Sequence, residues 1–275
     1  MKSVVITGST RGIGKGLAVS FLELGCAVVI NGRNRIVVEQ VVQELENRYD
    51  PDRIAGFAGD VSDYEQVQAL WEAACKRFGE VDIWINNAGI SHSLDEFWKL
   101  DPQVVHSVVE TNLTGAMLGS LVALRGMLEQ GYGAIYNMEG LGSRGGRMVS
   151  GLALYGSTKA GLGYFTEALA RETGGTAVLV GALSPGMVLT DMLLDRPARS
   201  REDEQRTQRA FSILADRVET VTPWLARKVL ENERSAVRIA WLTPSKVMLR
   251  FLAAPFHKRR LEEIQNPGKG KAGDR

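Results

Sequence analysis

Tyr155 and Lys159 stand four residues apart in Tyr155-Gly156-Ser157-Thr158-Lys159, a segment that continues as a helical pattern through Ala160, Phe165 and Leu169. Residues at that spacing share one helical face, so phenol and ammonium can point at a single bound group. A free phenol has a pKa near ~10 and exchanges protons poorly at neutral pH, but a close cation stabilises the phenolate and lowers that value. The pair suits proton exchange with a carbonyl or alcohol oxygen, with Tyr155 as acid or base and Lys159 tuning it. A carbonyl that gains hydride also gathers negative charge on its oxygen and needs a preplaced donor, for which Ser143 is the candidate. Asn112 falls inside a long helical pattern, where Asn is a poor helix former; a kink there would hold a water beside Lys159. A Tyr and a Lys four apart are common on helix surfaces, so the reading depends on the motifs around them.

The hydride needs a carrier, and Thr7-Gly8-Ser9-Thr10-Arg11-Gly12-Ile13-Gly14 follows the first apolar run and opens the first helical pattern. Glycines there permit a tight turn, a close backbone approach to a pyrophosphate and close helix-on-strand packing, and amides at the helix start favour negative charge. An ordinary strand-to-helix turn is the alternative, weakened by the placement. The second apolar run ends at Ile30 and is followed by Asn31-Gly32-Arg33-Asn34-Arg35, with no carboxylate to bind ribose hydroxyls. Arg33 and Arg11 can instead form charge-assisted hydrogen bonds to a 2′-phosphate, which predicts NADPH/NADP+ over NADH; the alternative is two solvated surface arginines. Asp60 and Val61 follow the third run and could meet an adenine edge. A helix N-cap is the other reading for Asp60, although Ser62 or Asp63 could fill that place. Asn86, Asn87, Ala88 and Gly89 end the fourth run, where small residues can lie against a cofactor or form a plain turn.

These motifs require a scaffold of strands alternating with helices. Apolar runs recur at Val4 to Ile6, Ala27 to Ile30, Ile54 to Phe57, Val81 to Ile85, Ala134 to Met138, Ala177 to Leu183 and Val237 to Leu242. They are continuous rather than alternating, as parallel strands covered on both faces should be. Between them lie helical patterns such as Ile13, Leu17, Phe21 and Leu24, then Ile36, Val37, Val41 and Leu45, then Val67, Leu70, Trp71 and Ala74. Right-handed crossovers predict an α/β Rossmann-type doubly wound parallel sheet of about seven strands in three αβα layers, binding ligand beyond the strand carboxyl ends. The 275 residues read as one domain. Within it, 196–235 reads as a substrate-loop and helical insertion, solvated over Arg196 to Arg209, and 267–275 as a flexible tail.

A net charge of +1 with interspersed acids and bases gives no field suited to nucleic acid. Cys26 and Cys75 sit in apolar patterns and read as buried thiols of a reducing compartment. No metal site is expected, since His92, His106 and His257 lack ligand spacing. The first strand starts at the initiator, leaving no room for a leader, so a cytoplasmic location is expected unless a leader has been removed. No uninterrupted apolar stretch looks long enough to span a bilayer.

Together the motifs resemble the short-chain dehydrogenase/reductase family from Ser3 to about Asp191. The resemblance implies that Gly8, Gly12 and Gly14 hold the pyrophosphate, that Asn86 to Gly89 support sheet and cofactor, and that Asn112, a serine, Tyr155 and Lys159 form the catalytic tetrad, with Lys159 also on the nicotinamide ribose. Ser184-Pro185-Gly186-Met187-Val188-Leu189-Thr190 is similar to the family loop after the sixth strand, where Thr190 and the Val188 backbone hold the carboxamide. One departure stands out: the usual Ser-Ser after the fifth strand is replaced by Asn137-Met138-Glu139-Gly140, with Ser143 only near the expected spacing. That stretch, Tyr155 to Lys159, Ser184 to Leu194 and Ile239 to Pro244 resemble the chlorophyll(ide) b reductase branch, whose members reduce a formyl group on a chlorin with NADPH. The resemblance implies a large hydrophobic carbonyl substrate and a homodimer or homotetramer. A general carbonyl or 3-oxoacyl-type reductase and a non-catalytic NADP(H)-binding regulatory protein are the alternatives.

Near the C-terminus, Val247, Leu249, Phe251, Leu252 and Phe256 interleave with Lys246, Arg250, Lys258, Arg259 and Arg260. The favoured reading is a helix packed on the sheet edge or on a subunit neighbour. Cover for a flat substrate, or contact with a membrane surface, is the alternative.

Overall fold

In the computed structural model, which describes residues 1–145, 148–194 and 201–254 (without the side chains of 193–194 and 201–207), the continuous apolar runs become strands buried on both faces. Alternate side chains point to opposite sides of a strand. Val4 and Ile6 accordingly join one core cluster, and Val5 the other. Seven strands form the main sheet: β1 (Ser3–Ile6), β2 (Ala27–Gly32), β3 (Ile54–Ala58), β4 (Ile83–Asn86), β5 (Gly133–Met138), β6 (Val178–Ser184) and β9 (Arg238–Ala240). They are all parallel, in the order β3-β2-β1-β4-β5-β6-β9. The order reverses between β1 and β4, and the crevice beyond the carboxyl ends there is where open α/β sheets take ligands. A separate parallel ribbon pairs β7 (Met187–Leu189) with β8 (Ala215–Arg217).

One face carries α1 (Gly12–Glu23), α2 (Arg35–Glu46) and α9 (Val218–Leu230), which bury Leu17, Phe21, Val38, Leu45 and Leu225 against the sheet. The other carries α3 (Tyr64–Phe78), α5 (Gly115–Gln130) and α6 (Ala153–Glu172), through Leu70, Trp71, Met127 and Leu169. Four shorter or outlying helices complete the description: α4 (Pro102–Val109), α7 (Asp191–Leu194), α8 (Arg201–Leu214) and α10 (Pro244–Ala253).

Several local expectations are revised. Ile36 and Val37 are exposed, and Val38 takes the buried place on α2, because the N-cap at Asn34 sets the helix phase. The 196–235 stretch divides: residues 201–214 are helical, whereas α9 is part of the main core through Val221, Leu225 and Val229. Residues 102–130 form one helical run long and apolar enough, by length and composition, to cross a membrane, although Glu110 and Arg125 interrupt its apolar sequence. Its buried side, Val108, Ala116, Ala123 and Met127, lies inside this domain. Both cysteines are free thiols, Cys26 buried and Cys75 half-buried, and burial pushes both thiol pKa values up. Among the described residues no group of three His, Cys, Asp or Glu could hold a metal. The expected tail at 267–275, and Phe256, His257, Lys258, Arg259 and Arg260, lie outside the described residues.

The C-terminal helix does not pack as expected within the chain. Met248, Leu249, Phe251 and Leu252 are all more than half exposed, and α10 is held by a polar stripe instead. Arg250 donates to both oxygens of buried Asp216 on β8, at 3.0 and 2.7 Å, and Lys246, one turn earlier, lies 3.2 Å over the Trp241 ring. Asp216 also accepts from Trp241 Nε1 at 2.6 Å.

Candidate functional site

The glycine loop is built by the strands beneath it. Gly8 has φ +62° and Gly12 φ +55°, a region that favours glycine, and a Cβ on Gly8 would lie 2.8 Å from Ala88 Cα. A Cβ on Gly14 would lie 2.5 Å from both Gly8 O and Asn87 Nδ2. Asn87 Nδ2 donates to Thr7 O and Gly8 O, and Thr7 Oγ1 accepts from the amides of Asn87 and Ala88. The loops after β1 and β4 are thereby sewn together at the sheet's switch point. Ser9 is fully buried: its amide donates to Asn31 O, and its hydroxyl donates to Ile6 O while accepting from Asn31 N. Ser9 thus braces the loop through both its backbone and its side chain. Thr10 packs over Gly32, where a Cβ would meet its methyl at 2.7 Å, and half-buried Ile13 packs against the core.

Helix α1 begins without a side-chain cap and with no acid in its first turn, which leaves its first amides to an external anion. Arg11 and Arg33 are exposed, and neither makes a side-chain hydrogen bond or ion pair among the described residues. These features fit the phosphates of a dinucleotide. Asp60 accepts from the Ser62 amide and hydroxyl, while Asp63 caps α3, so the N-cap alternative for Asp60 does not hold. Val61 packs on Gly115 at the start of α5. On the other wall, Gly186 has φ +75° and sits against Leu242; Pro185 and Val188 are buried, and Thr190 comes to 3.4 Å from where a Gly12 Cβ would stand.

Tyr155 and Lys159 converge at the end of β5. A Cβ on Gly140 would collide with the Tyr155 hydroxyl and lie 3.1 Å from Lys159 Cγ, so both side chains flank that glycine. Lys159 is 4% exposed and its ammonium donates to Met138 O at 3.0 Å. Burial lowers its pKa from 10.5 to about 8, against an upward push from the Glu139 charge. Ser143 is buried, and its Oγ accepts from the Gly140 amide at 3.0 Å. Asn112 sits in a π-helical turn at Glu110–Thr114 between α4 and α5, the expected irregularity. Its side chain is engaged with protein: Oδ1 accepts from Ile90 N at 2.7 Å, and Nδ2 donates to Ile90 O at 2.9 Å and to Thr158 Oγ1 at 3.3 Å. That pins the Gly89 loop, and a Cβ on Gly89 would stand 3.4 Å from Asn112 Oδ1 and 3.8 Å from Lys159 Nζ. The expected tetrad thus gathers around Gly140 and Gly89.

Sequence reasoning overlooked Gly140, Thr7 and Asn31 as site builders. Asn31 Nδ2 donates to Phe57 O and Gly59 O, and its Oδ1 accepts from the Gly8 amide. The available signal was a polar residue at the end of an apolar run and, for Gly140, a glycine at the departure from the serine pair.

The short chain dehydrogenase model matches residues 2–201. A rice (Oryza sativa subsp. japonica) protein named probable chlorophyll(ide) b reductase, chloroplastic, is 35% identical over 269 residues, 92% of this chain and 52% of that protein. The chain therefore spans about half the length of that relative. The 3-oxoacyl-[acyl-carrier-protein] reductase of Vibrio cholerae is 34% identical over 218 residues, 79% of this chain and 84% of that protein. A solved 3-ketoacyl-(acyl-carrier-protein) reductase from Brucella melitensis, complexed with NADH, matches with a TM-score of 0.72 at 27% identity, covering 90% of this chain and 93% of that one.

Proposed function

The chain belongs to the short-chain dehydrogenase family of oxidoreductases, and on that premise we propose an NADPH-dependent reductase of a carbonyl, the formyl group of a chlorin-like or other large hydrophobic molecule. The observation that carries this reading is the convergence of Tyr155 and Lys159 on Gly140, beside the crevice that the glycine loop borders. When bound, the nicotinamide supplies the hydride. Gly8, Gly12 and Gly14 and the first amides of α1 would hold the pyrophosphate, Arg11 and Arg33 the 2′-phosphate, and Asp60 and Val61 the adenine end. Asn87, Ala88 and Gly89 would line the opposite wall, Thr190 and the Val188 backbone would hold the carboxamide beside Pro185 and Gly186, and Lys159 would hold the ribose. Tyr155 gives its proton to the substrate oxygen, and Lys159 favours the resulting phenolate. Ser143, already accepting from Gly140, has its own hydroxyl proton to donate to that oxygen. A homodimer or homotetramer is expected, to be read by analytical ultracentrifugation.

The deciding experiment follows NADPH oxidation with a formyl chlorin beside 3-oxoacyl thioesters. Turnover of the chlorin, and a Tyr155→Phe variant that binds NADPH but is slower by roughly a hundredfold or more, is the expected result. Equal turnover by Tyr155→Phe sinks the mechanism. A second reading, a 3-oxoacyl-type reductase, is supported by the 84% coverage of the Vibrio cholerae protein, and thioester turnover without chlorin turnover would select it.

A further inference from the structure

Glu139 occupies the departure after β5, and no role has yet fallen to it. Its carboxylate is 7% exposed and accepts from Arg238 Nε of β9 at 2.7 Å. The same guanidinium donates to Ser184 Oγ of β6 at 2.7 Å, so the pair ties three strand ends together. Glu139 lies beneath α6, where it lines a cavity of about 20 Å³ with Gly163 and Thr166, room for roughly one water. Lys159 is one helical turn before Gly163, and its ammonium rests on the carbonyl of Met138, the residue that precedes Glu139.

We propose that Glu139, held in place by Arg238, is the counter-charge that acts on Lys159, a positioning residue that acts through Lys159. The proposal rests on the reading of Lys159 as the cation beside Tyr155. A buried ammonium whose one hydrogen bond among the described residues is to a carbonyl loses its proton more readily than an exposed one, and a carboxylate close by opposes that loss. Glu139 is the charged group that acts on Lys159 among the described residues. The other faces offer the Tyr155 phenol on α6, neutral Thr158 and Asn112, and Gly89. Arg144 and Glu167 also line the cavity but pair with each other at 3.1 Å, with both side chains more than half exposed. Arg238 has two opposed effects: it fixes the carboxylate and partly cancels its field.

The test is a ¹³Cε lysine NMR titration of the full chain, without substrate, in wild type, Glu139→Gln and the Glu139→Gln, Arg238→Met double variant. The expected order of Lys159 midpoints is Glu139→Gln lowest, then the double variant, then wild type, with Glu139→Gln about tenfold weaker in proton affinity than wild type. Should Glu139→Gln not fold, the double variant, which removes both partners of the Glu139–Arg238 pair, must still titrate below wild type. An unmoved or raised midpoint in either variant overturns the proposal. The alkaline limb of NADPH-dependent turnover should follow the same order. Ordered midpoints in a protein that reduces no carbonyl would leave the counter-charge standing and remove the enzymatic reading.

Discussion

At the scale of single residues, the site depends on what is absent from Gly140 as much as on what Tyr155 and Lys159 carry. Any side chain at Gly140 meets the Tyr155 hydroxyl, so Gly140→Ala must push the phenol away from the position where it exchanges a proton. The expected result is a fall in kcat of roughly tenfold or more, larger than any change in NADPH affinity, because a small displacement of a reacting group is costly while the glycine loop is untouched. A wild-type kcat in Gly140→Ala would show that the hydroxyl is not held there during turnover. Arg33 poses a separate question: it is exposed, without a partner among the described residues, and close in sequence to the end of β2. Replacing it with Asp puts like charge beside a 2′-phosphate, and the ratio of kcat/KM for NADPH over NADH should drop by roughly tenfold or more. An unchanged ratio would mean that Arg33 does not read that phosphate.

At the scale of elements, the π-helical turn and the C-terminal latch both convert polar side chains into loop geometry. The extra residue in the turn at Glu110–Thr114 directs Asn112 inward, and its amide brackets Ile90 like a short piece of sheet. The latch works from the outside: Arg250 and Lys246, four apart on α10, fasten that helix to Asp216 and Trp241, and Asp216 is paired with Val188 in the β7–β8 ribbon. Since α10 has few buried apolar groups, the ion pair is its main attachment, and removing one partner of a buried pair leaves the other uncompensated. Arg250→Met should therefore release α10 locally, seen as faster amide exchange across 244–253 and 215–217, with less change in β1, β4 and β5. Uniform protection in that variant would mean the helix is held by something else.

At the scale of the whole molecule, burying Lys159 costs stability that activity requires. Its folded pKa is depressed from 10.5 to about 8, so below pH 8 both folded and unfolded chains hold the proton and the cost of the buried charge is fully present. Between those values the folded protein sheds the proton while the unfolded chain keeps it, so this group's contribution to stability rises with pH; above 10.5 the cost is gone. The buried thiols and phenols have raised pKa values and act in the opposite direction at alkaline pH, so the difference between two proteins is the clean measurement. Lys159→Met should be more stable than wild type by on the order of 2 kcal/mol at pH 7, and the gap should close as pH rises through that window, while carbonyl turnover is lost. A gap independent of pH would show that Lys159 is not a strained cation.

The strands themselves, their parallel pairing and the helical cover on both faces of the sheet were legible in the sequence, because continuous β-branched runs separated by 3.6-period patterns admit few alternatives. The glycine loop and the Tyr155 to Lys159 spacing were legible for the same reason: both are local, set by turn sterics or one helical turn. What the chain order could not decide was which distant residues meet. That Ser9 faces inward follows from β2 lying beside β1, the place of Gly140 from α6 crossing the end of β5, and the Glu139 and Arg238 contact from β9 pairing with β6. The phase of α2 and the polar attachment of α10 also depended on neighbours, since an apolar side chain is buried only where another element arrives to cover it.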